Sequence, residues 1–548
     1  MKRDIQALSK DSYDLLIVGG GIQGACVALE AARYGIKVAL VERSDFGGAT
    51  SANSLKILHG GLRYLQHFDF PRMIASIRSR KFFAGFAPHL IRPLPCVIPT
   101  ETWSIKNPLA MWIALKLNDL IAFDRNQGLT EAVKLPNGGL LSRRQCRDLF
   151  PLVAEPFATG GARWYDYLIL NSERLTLECL NEAVRHGACV ANYIEVEDYL
   201  IEAGSVVGIR AKDRETGQSL EVRANTILNT VGPWWNKSLT SIPEGNTSPL
   251  RFAKAINLIL RKSLLKDHAV GLEYRDPENA NEKRFFFMVP WQNGTMIGTT
   301  YRPVESGDPT SLIVEEPEIA SIMKAVQSWF PDVRLSPDDV AFAHTGLLPI
   351  ELEQRKKGEG YHLHEDTLIV SHEKTHGLSN FYSIKTVKYT TSPVVAEKFV
   401  KLLLGKMGRR CIDAAELPDT GSADAATDLE KNDPEWLEQL RERYGARNQR
   451  ILEIIRDHPD AHGVVCPVKP STIAEIQYFV REEMALRLED IVFRRGAVSG
   501  TRPPTYSCLK RIADIAAKEL AWDGARTLEE IQSVVAIYRS RGVVLEEN

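Results

Sequence analysis

The chain has 548 residues, which is enough for about two to four domains and a sizeable core. Its 68 basic and 70 acidic residues give a net charge of -2, so no excess of positive charge favours nucleic acid as a partner. The eight cysteines form no C-x-x-C pair, which argues against a disulfide framework and against a metal site. Residues 1–14 lack the apolar core of a signal peptide, so we expect a cytoplasmic protein.

The N-terminal stretch has the pattern of a β-α-β unit that binds a dinucleotide. An apolar run over residues 15–18 predicts a buried strand, and residues 25–34 predict a helix. Three glycines at G-x-G-x-x-G spacing follow the strand and precede the predicted helix. They are Gly19, Gly21 and Gly24. The first glycine permits a tight turn, the second lets the backbone approach a pyrophosphate, and the third lets the helix pack closely on the strand.

A second apolar run, residues 38–41, ends on the acidic residue Glu42. In units of this kind an acid about 20 residues after the glycines accepts hydrogen bonds from ribose hydroxyls. With both strands, the helix and the acid in place, the pattern predicts dinucleotide binding.

Residues 108–123 form the most apolar stretch of the chain, although Lys116 and Asp119 interrupt it, and it is too short to span a membrane. Its large apolar residues share one helical face. Two interpretations are open: a helix that packs on the core, or a helix that lies in a membrane interface, as its terminal aromatics and the neighbouring Lys106 suggest. The residues of that face are Leu109, Trp112, Ile113, Leu117, Leu120 and Ile121.

The middle of the chain alternates between helical and strand patterns. Residues 172–187 have a helical period, and residues 188–232 alternate as strands that end in a small-residue turn. Residues 250–345 predict an antiparallel sheet, and residues 375–404 predict a strand, a turn and a long helix. Residues 416–428 are small, acidic and proline-marked, as in a linker, and the pattern beyond them is helical.

The segment that follows Glu42 makes the reading specific. Residues 47–70, GGATSANSLKILHGGLRYLQHFDF, resemble the signature of FAD-dependent glycerol-3-phosphate dehydrogenases and oxidases. Other segments resemble the same family in the same order, and the resemblance covers nearly the whole chain. They include APHLIRPLPCVIP (87–99), NTVGPWWNK (229–237), VPWQNGTMIGTT (289–300), VKYTTSPVVAEK (387–398) and QYFVREEMALRLEDIVFRR (477–495).

The resemblance implies an α/β fold with FAD as cofactor. A Rossmann-type FAD domain, like those of glutathione reductase and D-amino-acid oxidase, would carry an antiparallel substrate sheet and a C-terminal all-α domain. The implied boundaries are 1–75, 151–235 and 340–404 for the FAD domain, 76–150 and 236–339 for the substrate domain, 405–428 for the linker and 429–548 for the helical domain. The implied cofactor residues are Gly19, Gly21, Gly24, Glu42, Thr50, Ser51, Ser54, Lys56, Gly60, Gly61, Gly232, Gly346 and Lys388.

The resemblance also implies catalytic residues. Lys388 matches the family lysine near flavin N5, where it would position a water and stabilise negative charge on the reduced flavin. Arg63 and Tyr64 would lie beside the ring, with Arg63 stabilising an anionic substrate or the reduced flavin. The base that takes the hydroxyl proton is left open between His59, His344 and a water held by Lys388.

The positions that hold glycerol 3-phosphate depart from the family pattern. A family histidine aligns with Asn257, a family arginine with Leu348, and, more loosely, a second arginine with His364. An arginine makes two parallel charge-assisted bonds to a phosphate, whereas leucine supplies neither charge nor donor. The pocket should therefore hold glycerol 3-phosphate poorly unless another side chain compensates, the candidates being Arg251, His344 and Arg302.

The sequence thus predicts an FAD-dependent enzyme that oxidises a CH–OH group by hydride transfer to flavin N5, on an altered small polar substrate of the polyol or polyol phosphate class. Two alternatives are a genuine glycerol-3-phosphate dehydrogenase that forms dihydroxyacetone phosphate, and a catalytically silent FAD-binding scaffold. A quinone or O2 would reoxidise the flavin. A quinone-linked enzyme would be peripheral on the cytoplasmic face of the membrane.

Overall fold

The structure is a computed structural model of the chain. It describes all residues except 155–156, 244, 246–248, 277–278, 305–311, 356–357, 365, 410–433, 467–470, 497–499, 501–502 and 548.

Strands and helices alternate through the first three quarters of the chain, and helices alone follow. The strands are β1 Ser12–Val18, β2 Val38–Val41, β3 Ile57–Leu58, β4 Ile91–Pro99, β5 Gly139–Leu141, β6 Gly161–Ile169, β7 Cys189–Ala191, β8 Ile194–Glu202, β9 Ser205–Asp213, β10 Ser219–Asn229, β11 Arg251–Leu260, β12 Ala269–Asp276, β13 Asn279–Trp291, β14 Gly294–Val304, β15 Val340–Arg355, β16 Gly358–Leu363, β17 Leu368–Ser371 and β18 Phe381–Lys385. The α-helices are α1 Ile5–Lys10, α2 Ile22–Arg33, α3 Phe70–Phe86, α4 Pro108–Ile121, α5 Arg143–Leu149, α6 Ser172–Arg185, α7 Trp235–Ser238, α8 Glu316–Trp329, α9 His372–His376, α10 Ser392–Lys406, α11 Pro434–Tyr444, α12 Asn448–Asp457, α13 Ile473–Glu483, α14 Tyr506–Leu520 and α15 Gly524–Ser540.

The first sheet has eight strands and carries the predicted dinucleotide unit. Its order is β17-β18-β10-β1-β2-β7, with the β8–β9 hairpin attached to β10. The inner strands are parallel. Strand β10, the last of the strands predicted over residues 188–232, pairs with β1. Apolar side chains of α2, α6 and α10 cover one face of this sheet. Helix α2 begins earlier than predicted, because Gly21 caps it and Gly24 lies in its first turns.

The second sheet has ten strands in the order β16-β15-β11-β14-β13-β12-β4-β6-β3, with β5 on β6. All its pairs are antiparallel except β4 with β12. This sheet corrects the predicted domain boundaries. Strands β6, β15 and β16, predicted in the FAD domain, pair into the second sheet, whereas the end of α3, predicted in the substrate domain, packs in the core of the first.

The C-terminal part is helical, as predicted. Helices α11 to α15 pack against one face of the second sheet, where Phe342 meets Tyr538 with ring centroids 5.8 Å apart. The Thr472–Glu475 capping box begins α13. A π-helical turn, Asp490–Arg495, faces the first sheet's loops. The predicted linker lies largely outside the described residues, which end at 409 and resume at 434.

Helix α4 presents its apolar face outward, so the interpretation of this face as packed on the core is wrong. Leu109, Trp112, Ile113 and Leu120 are exposed, while Met111 and Leu115 make the core contacts. Among the described residues, no helix combines the length and apolar character that crossing a membrane requires.

Candidate cofactor and substrate site

A cavity of about 1270 Å³ lies at the carboxyl edge of the first sheet. Gly19 follows β1, Glu42 follows β2, Thr230 follows β10 and Lys388 follows β18, and all four line the cavity. The second sheet forms the opposite wall through β11, β14 and β15, and the C-terminal domain closes one end. Ligands of parallel α/β sheets bind at this edge, because the strands there end together and the following loops diverge.

The glycines of the first turn are needed for close backbone approach. A Cβ atom on Gly24 would lie 2.0 Å from the Gly19 carbonyl oxygen and 2.8 Å from Thr230 Oγ1. Gly19 has φ +107°, and its own Cβ would meet the Thr230 carbonyl oxygen at 2.7 Å. Gly21, which caps α2, lines the cavity, so the N-terminal turn of that helix faces the space that a phosphate would occupy.

Glu42 lies in the cavity wall, but its carboxylate is already used within the protein. It accepts hydrogen bonds from the Gly20 N–H at 2.7 Å and from the Ser44 N–H at 2.9 Å. Burial raises the pKa of Glu42, although these two bonds oppose the shift. Each carboxylate oxygen keeps a second lone pair, so a ribose hydroxyl can still donate to it. Sequence reasoning did not foresee that Glu42 also fixes the glycine turn.

The loop after Glu42 connects the two sheets across the cavity. Ser51 Oγ accepts from the Ile22 N–H at 3.1 Å, and Thr50 Oγ1 donates to the Leu347 carbonyl at 3.1 Å. Gly346 lets β15 approach, since its Cβ would lie 3.2 Å from Thr50. These residues line the cavity, as do two further predicted cofactor residues, Ser54 and Gly232.

Lys56 does not face the cavity, which corrects its predicted place beside the cofactor. Its ammonium group is buried and donates to the Ala52 carbonyl at 2.7 Å, to Ser172 Oγ at 2.6 Å and to the Glu173 carboxylate at 2.8 Å. Because an ammonium has three N–H donors, all are satisfied. Lys56 therefore ties the loop between β2 and β3, residues 42–56, to the start of α6. This loop is called the cofactor loop below.

Gly60 and Gly61 also differ from expectation, because neither lines the cavity. The Gly60 N–H donates to Asp166 at 2.6 Å, and a Cβ on Gly60 would meet the Arg80 guanidinium at 2.4 Å. A Cβ on Gly61 would meet the Tyr64 ring at 2.8 Å. The glycine pair thus admits neighbouring side chains rather than a flat cofactor ring. Asp166, which sequence reasoning missed, orders this turn.

His59 and Lys388 both line the cavity and carry chemistry. The Lys388 ammonium lies 4.7 Å from the centre of the Tyr64 ring, and that ring contacts the His59 ring edge-on, with centroids 6.2 Å apart. Burial lowers the pKa of His59 to about 4, against an opposing effect of Asp166. Arg63, by contrast, is exposed on the turn Leu62–His67 and lies outside the cavity wall.

Asn257 and His344 are cross-strand neighbours on the second sheet, and both line the cavity. Asn257 donates to the Asn53 carbonyl at 3.0 Å and accepts from Thr299 Oγ1 at 2.7 Å. His344 is buried, and burial lowers its pKa well below the ordinary value, as does the charge of Lys56. Asn257 therefore holds the cofactor loop, and His344 is a neutral imidazole.

Only Leu348 of the other predicted substrate residues lines the cavity. Arg251 and Arg302 are exposed outside the cavity wall, and buried His364 is engaged by the Glu351 carboxylate. Neither exposed arginine therefore supplies the positive charge that the family arginine at position 348 would place at the cavity. A cation that sequence reasoning missed, Lys385, does line it, and burial lowers the pKa of that lysine. Its position at the end of a predicted strand, shortly before Lys388, was the available signal.

The cavity fits a dinucleotide with a flat redox group. The glycine turn and the start of α2 suit a pyrophosphate, Glu42 suits a ribose, and the cavity wall also carries the ammonium of Lys388 and the imidazole of His59. No group of three or more histidine, cysteine or acidic side chains in the described part of the chain is arranged to hold a metal ion.

Comparisons with known proteins show the family of the chain. A family model described as FAD dependent oxidoreductase matches residues 14–402, and one described as the C-terminal domain of alpha-glycerophosphate oxidase matches residues 407–527. A glycerol-3-phosphate dehydrogenase of Synechocystis sp. is 28% identical over an alignment of length 550 that covers 97% of each chain. An alpha-glycerophosphate oxidase of Streptococcus pneumoniae is 31% identical over 350 residues, covering 63% of this chain and 56% of that one.

A solved structure has the same fold. The glycerol-3-phosphate dehydrogenase of Bacillus halodurans, complexed with FAD, superposes with a TM-score of 0.72 at 23% identity, covering 98% of this chain and 97% of that chain. The chain therefore belongs to the FAD-dependent oxidoreductases and is of the glycerol-3-phosphate dehydrogenase and oxidase type.

Proposed function

We propose that the protein oxidises the CH–OH group of a small polyol or polyol phosphate whose head group is less anionic than that of glycerol 3-phosphate. One observation supports the proposal: the cavity wall carries His59 and Lys388, but Leu348 stands at the position of a family arginine. The redox side chains are thus retained, while a residue that would hold the phosphate is apolar.

His59 is the proposed proton acceptor. FAD, when bound, supplies a two-electron acceptor for the hydride that leaves the substrate carbon. At neutral pH the His59 imidazole is uncharged, and Asp166 beside it favours the imidazolium that forms when it takes the hydroxyl proton. Cationic neighbours oppose protonation of both histidines, Lys388 and Arg80 at His59 and Lys56 and Arg541 at His344, but only for His59 does a carboxylate, that of Asp166, act in the opposite direction. Lys388 would hold negative charge that develops in the cavity.

Genuine glycerol-3-phosphate oxidation is the second candidate, and Lys385 is the observation that favours it. An ammonium that lines the cavity can pair with a phosphate as a point charge, although without the two parallel bonds of an arginine. The head group therefore distinguishes the two candidates.

Anaerobic mixing of the yellow protein with polyols and polyol phosphates tests the proposal. Loss of the visible flavin absorbance with one of these compounds is the expected result. A protein that retains FAD but is reduced by dithionite alone would instead be the catalytically silent scaffold. The His59→Gln variant should keep the spectrum of bound FAD and lose most of the rate of reduction, because general-base catalysis contributes about 10²- to 10⁴-fold.

We further propose that the exposed face of α4 docks on the cytoplasmic face of a membrane. Trp103 and Phe123 flank the helix and are 97% and 84% exposed. Ile121, at the end of α4, packs against a cluster that contains the buried Met73 of α3, and Phe68, which precedes α3, is also exposed. Aromatic rings with basic neighbours, here Lys106 and Lys116, suit a lipid interface. A quinone dissolved in the bilayer would be within reach of such a protein, whereas O2 needs no docking.

The double variant Trp112→Ser/Phe123→Ser should bind lipid vesicles at least about tenfold more weakly, because each large apolar side chain contributes about 1.5–3 kcal/mol when it leaves water. Sedimentation with vesicles of phosphatidylcholine and phosphatidylglycerol measures this binding. Leu528→Ser, at an exposed leucine of α15, is the control and should bind as the parent does. Equal binding of all three proteins would refute lipid docking through α4.

A further inference from the structure

The C-terminal domain is joined to the loop after Glu42 by a buried carboxylate. Asp45 is 1% exposed and lies in the loop between Glu42 and the predicted cofactor residues Thr50 and Ser51. Arg495 donates to both of its oxygens, with one contact at 2.8 Å, and Arg494 Nε donates at 2.9 Å. Asn192, which follows β7, donates at 3.0 Å.

The two arginines are themselves held in place. They end the π-helical turn Asp490–Arg495, and Arg495 is 1% exposed and also donates to the Glu483 carbonyl at 2.7 Å. Arg494 also donates to Glu489 at 2.7 Å and to Asp490 at 3.1 Å. Burial alone would raise the pKa of Asp45, but Arg495 and Arg494 bring it below the ordinary value. Asp45 is therefore a carboxylate anion whose negative charge is compensated by the two arginines and whose position is fixed by their hydrogen bonds.

The loop that contains Asp45 makes direct contacts with the glycine turn. The Gly47 N–H donates to the Gly20 carbonyl at 3.0 Å, and Ser51 Oγ accepts from the first N–H of α2 at 3.1 Å. A Cβ on Gly48 would lie 3.7 Å from Arg494. A displacement of Asp45 would consequently move the residues that line the pyrophosphate end of the cavity.

We propose that Asp45 and Arg495 are positioning residues for FAD: the C-terminal helical domain, through this ion pair, sets the geometry of the cofactor loop. The inference rests on the proposed assignment of residues 47–51 to the cofactor. Arg495 acts through Asp45, since Arg495 does not line the cavity. The helical domain is thus part of the flavin site.

The test compares two arginines that bridge the same two domains. Arg495→Gln removes one arginine from Asp45, which keeps Arg494. Arg447→Gln, the matched control, removes one arginine from the buried Glu178 of α6, which keeps Arg174 at 3.0 Å. The dissociation constant for FAD is measured by titrating each apoprotein and following the quenching of flavin fluorescence, and the melting temperature of each apoprotein is recorded separately.

We expect Arg495→Gln to raise the FAD dissociation constant about tenfold or more and to change the visible circular dichroism of the bound flavin, with partial recovery in Arg495→Lys. Arg447→Gln should lower the apoprotein melting temperature to a similar extent and leave the FAD dissociation constant unchanged. An equal change of that constant in both variants would overturn the proposal.

Two further variants complete the design. If Arg495→Gln yields no folded protein, Arg495→Met, which fills the same buried space and leaves Asp45 with Arg494, is compared with Arg447→Gln in the same way, with the same outcomes. Gly21→Val, in the glycine turn, should abolish FAD binding. If Gly21→Val binds FAD like the parent, the assignment of the cofactor site has failed, whereas its failure to bind while Arg495→Gln binds normally refutes the positioning role alone.

Discussion

A Gly24→Val variant is expected to lose FAD together with the fold of the first domain. The added Cβ would meet the Gly19 carbonyl oxygen at 2.0 Å, and both this oxygen and α2 belong to packed backbone that cannot rotate away. Overpacking of flexible side chains costs about 1–3 kcal/mol, and a clash with fixed backbone exceeds that range. A loss of more than about 3 kcal/mol in the free energy of unfolding is a large share of a domain's stability.

Thermal unfolding and the ratio of bound FAD to protein measure this effect. Gly405→Ala is the control, since Gly405 lies within α10 and a Cβ there would meet no atom within 4 Å. An alanine in a helix is favoured over glycine by about 0.5–1 kcal/mol, so this variant should be as stable as the parent or more so. A Gly24→Val protein that retains stoichiometric FAD would contradict the close packing at the glycine turn.

A Lys388→Met variant should bind FAD and reduce it slowly. Methionine keeps the length and apolar stem of lysine but removes the charge that faces the cavity. Loss of one group that stabilises developing charge typically lowers a rate about 10²- to 10³-fold. Anaerobic stopped-flow measurement of flavin bleaching by the substrate gives the rate constant directly.

Lys406→Met is the matched control for this change. Its ammonium lies 4.9 Å from the Tyr382 ring, a contact like that of Lys388 with Tyr64 at 4.7 Å, but it lies outside the cavity wall. This variant should reduce the flavin at the parental rate. Similar rates in the parent and in both variants would show that Lys388 takes no part in the reaction.

Local pattern was sufficient to predict the β-α-β unit. The apolar runs, the glycine spacing and Glu42 are each set by contacts between residues near in sequence, so the strand, turn and helix could be predicted together. The sheet that each strand joins could not be predicted in this way. Strands β6 and β15 have the same alternating pattern in either sheet, because alternation reports one buried face and not the identity of the neighbouring strand.

Side-chain direction could not be read from the signature segment. Lys56 and Gly60 lie among cavity residues in the sequence. In the structure the Lys56 ammonium binds Glu173, and the space beside Gly60 is filled by the Arg80 guanidinium. Both choices depend on partners more than ten residues away, which no local periodicity specifies. The contribution of Arg495 to the cofactor loop has the same origin, because Asp45 acquires its partner only when the C-terminal domain docks.

The loss of a family arginine at Leu348 could be predicted from the sequence, but the cations that surround the cavity could not. Leu348 lines the cavity as expected, whereas Arg251 and Arg302, named as possible substitutes for the missing charge, are exposed outside its wall. Lys385 lies at the end of a predicted strand, but only the folded chain shows that it lines the cavity. The charge available to a substrate head group is therefore smaller than in a pocket with an arginine at position 348.

The most direct test is the concentration dependence of anaerobic flavin reduction by glycerol 3-phosphate in the parent and in Leu348→Arg. We expect weak saturation in the parent and at least about tenfold tighter apparent binding in Leu348→Arg, because a guanidinium adds two charge-assisted bonds to the phosphate. Rapid reduction of the parent at low glycerol 3-phosphate concentration, with no gain in Leu348→Arg, would contradict this expectation.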